Sequence, residues 1–193
     1  MEFKSKNNIL IFCICGKAGS GKTFVGKYIH KKYSQKKYKV IISPYTKYLK
    51  QYIKEITGKS VTEKNKPRRL LQQLSSELIK GELGYKDIFI NRQLEDISIY
   101  KYFFDIIIIP DVRFPKEIEV LKEHYNNVIT IEVKRSNYDN GLTNIEKNDT
   151  TETSLDNYQK FDYILDNQGN TNLQNDVLNI IDNIEKRNKK WKN

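Results

Sequence analysis

The run Gly16-Lys17-Ala18-Gly19-Ser20-Gly21-Lys22-Thr23 fills every fixed position of the phosphate-binding pattern G-x-x-x-x-G-K-S/T. Its glycines let the backbone curl so that N–H groups point inward at phosphate oxygens. The helix that follows adds partial positive charge at its start. In such a loop Lys22 reaches the β- and γ-phosphates of a nucleoside triphosphate, ATP being the expected one, and the Thr23 hydroxyl ligates Mg²⁺. A glycine-rich turn closing a strand is the bland alternative. The flanks argue against it, because a β-rich apolar run from Ile9 to Cys15 precedes the loop and a helical pattern from Lys22 to about Tyr33 follows.

A second set of chemistry-bearing residues lies far along the chain. Asp111-Val112-Arg113-Phe114-Pro115 follows the most apolar stretch, Phe103 to Pro110. Asp111 is placed like the acidic residue that supports Mg²⁺, directly or through water, in phosphate-loop enzymes; the other reading is an N-cap for the helix begun by Pro115. Arg113, at a strand's carboxyl end, suits planar bidentate phosphate binding, with a simple salt bridge as its alternative. Arg135 heads a polar segment through Thr153 and would lie over a transferring phosphoryl group as a lid arginine, or else in a solvated loop. Arg68, Gln72 and Ser75 share a polar flank of one helix and can point at a common ligand. His30 and His124 have no partner pattern and read as surface residues.

These residues also bear on the acceptor. A phosphate has a second pKa of about 6 and is ionised at neutral pH, so transfer to it needs cationic clamps and no general base. A hydroxyl acceptor would want a carboxylate base, for which Asp111 is the well-placed candidate.

The elements that position them alternate. Strands are expected at Ile9 to Cys15, Val40 to Ser43, Phe103 to Pro110 as the central strand, Val128 to Val133 and Tyr163 to Leu165. Helices are expected from Lys47 to about Ile56, from Pro67 to near Gly81, from Tyr85 to about Tyr102, from Pro115 to about His124 and from Leu173 to about Arg187. Leu70, Leu71, Leu74 and Leu78 would form the apolar face of the second of these. The pattern predicts one α/β domain over residues 1–193: a parallel five-stranded sheet with helices on both faces, acceptor-binding helices at about 47–102 and a lid segment at about 134–153.

Net charge is +10, from 34 Lys plus Arg against 24 Asp plus Glu, which favours anionic partners. The excess is scattered without an aromatic-interleaved stripe, so a small nucleotide is favoured over nucleic acid. Cys13 and Cys15 share a strand face and read as reduced packing residues, and no stretch approaches the roughly 20 apolar residues of a membrane span. A cytoplasmic location is expected, and the helices between Lys47 and Tyr102 could pair subunits in a homodimer.

Together the motifs resemble the deoxynucleoside monophosphate kinases of phages, bacteria and large viruses. Besides Gly16 to Thr23, the likeness rests on Pro67-Arg68-Arg69-Leu70-Leu71-Gln72, similar to P-R-x-L-L-Q, and on Pro110-Asp111-Val112-Arg113-Phe114-Pro115-Lys116-Glu117, similar to P-D-V-R-F-P-N-E. Glu152, Leu155, Phe161-Asp162 and Asn167-Gln168-Gly169 resemble a pattern of S-E, L-D, F-D and N-x-G. The resemblance implies the P-loop kinase fold, ATP and Mg²⁺, and transfer to a nucleoside 5′-monophosphate, with Lys22 and Thr23 serving triphosphate and metal and Arg68, Gln72 and Arg113 holding the acceptor. Arg135 matches a lid arginine loosely. Departures include Thr23-Phe24 after Lys22 where many members read G-K-D-T, and Ser75 to Lys80 where the family has G-T-E-x-x-R. The last pattern also resembles animal-type phosphomevalonate kinases, the alternative within kinases. Outside them, a nucleic-acid-binding NTPase and a regulatory nucleotide binder remain as other classes.

Overall fold

The computed structural model describes residues 4–6, 8–62, 65, 67–136, 138–169 and 172–187. Five parallel strands form one sheet: β1 (Leu10–Cys15), β2 (Val40–Ile42), β3 (Ile106–Val112), β4 (Val128–Lys134) and β5 (Tyr163–Asp166), in the order β2-β3-β1-β4-β5. Parallel neighbours require crossovers, and the intervening helices supply them on both faces.

Alternation along the strands sorts the core. Leu10, Phe12, Ile14, Ile106 and Ile108 pack against α1 (Lys22–Gln35) and α8 (Asn172–Arg187). Ile11, Cys13, Cys15, Ile107 and Ile109 face the opposite layer. That layer contains α2 (Lys47–Thr57), α3 (Arg68–Gln72) with its continuation Gln73–Glu82, α4 (Ile88–Tyr100) and α5 (Pro115–His124). Cys13 and Cys15 do share a face; both are free and buried, and burial pushes their thiols far above the ordinary range, so they pack as small apolar groups.

Three expectations are corrected. The central strand is β1, paired with β3 on one side and β4 on the other; Phe103 to Pro110 contributes to the interior strand beside it, which starts at Ile106 and runs on to Val112. An apolar run buried on both faces marks an interior strand but does not rank it within the sheet. The helix after Pro67 widens into π winding over Gln73–Glu82, and Leu71, Ser75 and Ile79, four apart, are its buried residues, while Leu70 and Leu78 are exposed. The inward stripe keeps a four-residue step but lies one position on from Leu70, Leu74 and Leu78, so the polar Ser75 is turned inward and two of the leucines outward. The expected helix from Tyr85 begins at Ile88 and buries Phe89, Ile90, Gln93 and Ile97.

The β1–β3 register slips between Cys13 and Cys15, which pair with Ile109 and Val112. The extra residue falls at Pro110–Asp111, where proline has no N–H for the ladder. This bulge sets the orientation of the Asp111 to Arg113 turn. The segment after β4 carries two short helices, α6 (Asn144–Lys147) and α7 (Thr150–Thr153). No helix among the described residues is long and apolar enough to cross a membrane.

Candidate active site

The phosphate loop joins β1 to α1 and owes its shape to glycine. Gly16 has φ +132, and a Cβ there would lie 2.3 Å from the Val133 carbonyl oxygen. Gly21, with φ +110, leaves room for the Asn167 amide, whose Nδ2 donates to the Ser20 carbonyl at 2.8 Å. Lys22 is buried, and its ammonium donates to the carbonyls of Gly16 at 2.6 Å and Lys17 at 2.7 Å. Thr23 stands exposed in the first turn of α1, which carries no acidic residue, so the helix N-terminus keeps its positive end for an anion.

The segment after β4 closes over this loop. Asn140 Nδ2 donates to the Ala18 carbonyl at 3.2 Å, and its own carbonyl accepts from Arg68 Nη1 at 3.3 Å. Arg135 Nη1 reaches the Gly19 carbonyl at 3.4 Å, with its guanidinium 3.6 Å from the Tyr138 ring centroid. From α7, Glu152 accepts the Ala18 N–H at 2.7 Å and pairs with Arg113 at 2.9 Å. Arg113 Nη1 also donates to the carbonyls of Gly16 and Thr151, each at 3.2 Å. The phosphate loop, the end of β3 and the segment after β4 therefore converge at the carboxyl edge of the sheet, where open α/β sheets bind ligands.

Asp111 and Glu117 hold the other side of the turn. One Asp111 oxygen accepts the Tyr45 N–H at 2.9 Å; the other accepts the Thr46 N–H at 3.0 Å and its hydroxyl at 2.7 Å. Asp111 thus secures the entry to α2. The cap expected from it at α5 is supplied by Glu117, whose Oε2 accepts the N–H groups of Arg113 at 2.7 Å and Phe114 at 3.1 Å. Burial pushes the Glu117 carboxyl up to about 7 against the opposing pull of those two hydrogen bonds.

A cavity of about 580 Å³ opens from the loop toward α2, the α3 segment and α4. At the loop end it is lined by Gly19, Gly21, Lys22, Thr23, Asp111 and Arg113. Its far walls bring aromatic and apolar surface from Tyr45, Leu49, Leu71, Phe89 and Phe114. Polar groups interrupt that surface. Arg68 and Gln72 line it, and Gln72 Oε1 is buried without a hydrogen-bond partner among the described residues. Lys80 also lines it, 3.9 Å from the Phe114 ring centroid, with burial pulling its ammonium pKa down. A second cavity, of about 360 Å³, lies on the other side of the loop and is bounded by Gly16, Lys17, Ala18, Ser20, Arg135 and Tyr138. Arg113, Ala18, Thr151 and Glu152 line both.

No protein-family model matches the chain, and no curated protein sequence matches it. Solved structures do. The Mycobacterium tuberculosis APS kinase CysC, in complex with AMPPNP and APS, aligns with TM-score 0.53 at 8% identity over 92% of this chain and 98% of its own. Shikimate kinase from Acinetobacter baumannii, in complex with shikimate, aligns with TM-score 0.52 at 13% identity over 94% of this chain and 96% of its own. The fold is that of the P-loop kinases.

Most of the expected site residues meet in or beside one cavity. Gly16, Lys17, Ser20 and Arg135 are the displaced ones, since they line only the smaller cavity on the other side of the loop. Sequence reasoning gave no role to Glu117, Glu152 or Lys80. Glu117 and Glu152 stand inside the quoted motif blocks, which was the available signal; Lys80 was noted only as a departure from an arginine position.

The donor set fits a triphosphate with Mg²⁺. The loop offers N–H groups, Lys22 and a helix start, and Thr23 offers a hydroxyl oxygen facing the same cavity as Asp111. Among the described residues no group of three or more His, Cys, Asp or Glu could hold a metal ion.

Proposed function

We propose that the protein is an ATP-dependent kinase that transfers the γ-phosphoryl group to a (deoxy)nucleoside 5′-monophosphate, giving the diphosphate. The observation that carries this reading is the larger cavity, which joins the phosphate loop to a slot walled by Tyr45, Leu49, Leu71, Phe89 and Phe114 and lined also by Arg113 and Arg68. Aromatic and apolar walls suit a planar base, and two arginines in the same lining suit its phosphate. The likeness to the deoxynucleoside monophosphate kinases in the Pro67 to Gln72 and Pro110 to Glu117 blocks points the same way.

In this reading the triphosphate lies along the Gly16 to Thr23 loop, with Lys22 turning from the loop carbonyls to the β- and γ-phosphates. Thr23 and Asp111 would hold Mg²⁺ here, with Asp111 keeping its hydrogen bonds to Tyr45 and Thr46, and the bound ion would supply charge neutralisation at the phosphates. Arg113 and Arg68 clamp the acceptor phosphate, and Gln72 hydrogen-bonds the acceptor. Arg135 steadies the donor from the lid side. The acceptor oxygen is already ionised at neutral pH, so Asp111 need not serve as a base. Its hydrogen bonds to three donors at the entry to α2 make it a poor one. We place the reaction in the cytoplasm with small-molecule partners.

ADP release from ATP and Mg²⁺, measured against a panel of nucleoside and deoxynucleoside monophosphates, phosphomevalonate, and single-stranded DNA and RNA, tests this. Turnover with one or more nucleotides supports it. Turnover with phosphomevalonate alone, stimulation only by nucleic acid, or ATP binding with no acceptor at all, overturns it.

A further inference from the structure

We infer that Glu152 is a positioning residue for this transfer: it fixes the Arg113 guanidinium on the seam between the phosphate loop and the acceptor cavity, an inference that rests on the kinase reading above. The Glu152 side chain is only 7% exposed. Its carboxylate spans the seam, taking the Ala18 N–H of the loop on Oε2 and Arg113 Nη1 on Oε1. Among the described residues, the hydrogen bonds and ion pair of the Arg113 side chain run through Nη1, to Gly16, Thr151 and Glu152. The Nε and Nη2 edge of the fork is left for a bidentate phosphate contact. An ion pair this buried contributes little net stability compared with apolar packing, because desolvation offsets the attraction. Its use is orientation. An arginine on a flexible stem must be held within a fraction of an ångström to serve two phosphates, and the short helix α7 supplies that hold through Thr151 and Glu152.

A structural role alone would weaken every function of the site together, whereas the positioning role splits them. Glu152→Ala, and Glu152→Gln, which keeps the shape and removes the charge, should raise acceptor KM and lower kcat, costing about tenfold or more in kcat/KM. ATP affinity, measured by titration without acceptor, should be as tight as in the wild type or tighter, because the Ala18 N–H is released to the triphosphate. Glu152→Asp should recover part of the loss. Combined with Arg113→Ala, Glu152→Ala should add nothing further. Wild-type acceptor kinetics in the Glu152 variants, losses that multiply in the double variant, or a parallel loss of ATP affinity, each overturn the positioning role while the wild type's own turnover leaves the kinase reading standing. A wild type that binds ATP and phosphorylates no acceptor overturns both.

Discussion

Residues Gly16 to Thr23 build the phosphate loop from consecutive backbone, with glycine φ angles of +132, +76 and +110 at Gly16, Gly19 and Gly21. The wall facing it is assembled from side chains of α2, the α3 segment, α4 and the start of α5. The loop has few alternative sequences, because each glycine meets backbone or a neighbouring side chain where a Cβ would sit. The wall tolerates change, because aromatic area and a few polar groups can be supplied from several positions. On the proposed kinase reading, donor chemistry is held by backbone geometry and acceptor choice is left to side chains.

The sharpest way to break that division is Lys22→Ala. It should lower kcat by about 10²–10³ or more and weaken ATP binding as well, since one cation serves both. Arg113→Ala sits on the seam and should lower kcat/KM for the acceptor by about 10²-fold while ATP affinity changes only a few-fold; equal losses on both sides, in paired kinetics and titrations, would erase the distinction. Gln72→Ala should act on the acceptor alone. Its buried, unpartnered Oε1 predicts a rise of about tenfold in acceptor KM with kcat nearly kept, read from initial rates.

The smallest effect is on stability. The Glu117 carboxyl, ordinarily at 4.5, is raised to about 7 by burial. Across that window the folded state holds more protons than the unfolded one, so stability falls as pH rises from about 4.5 to about 7 and is flat above. Glu117→Gln keeps an oxygen for the Arg113 and Phe114 N–H groups and should remove that slope, as urea unfolding at several pH values would reveal.

What could be read in advance follows the same division. The loop was legible because its function is written in eight adjacent positions of the pattern. The common face of Cys13 and Cys15 was legible because side chains two apart in a strand point to the same layer. The inward stripe of the Pro67 helix was not, because its widening at Gln73–Glu82 depends on packing that turns Leu71, Ser75 and Ile79 inward and leaves Leu70 and Leu78 outside. The partners of Asp111 were hidden for a related reason. Tyr45 and Thr46 lie more than sixty residues away, and their approach is made by the pairing of β2 with β3. Glu152 meets Ala18 and Arg113 only once the segment after β4 folds back beside the loop.

The most direct measurement follows the phosphoryl group itself. ATP labelled at the γ-phosphate is incubated with the purified protein, Mg²⁺ and single nucleoside monophosphates, and the products are separated by chromatography. The account predicts label in a nucleoside diphosphate, lost in Arg113→Ala. Label appearing only as free phosphate, whatever nucleotide is supplied, would contradict it.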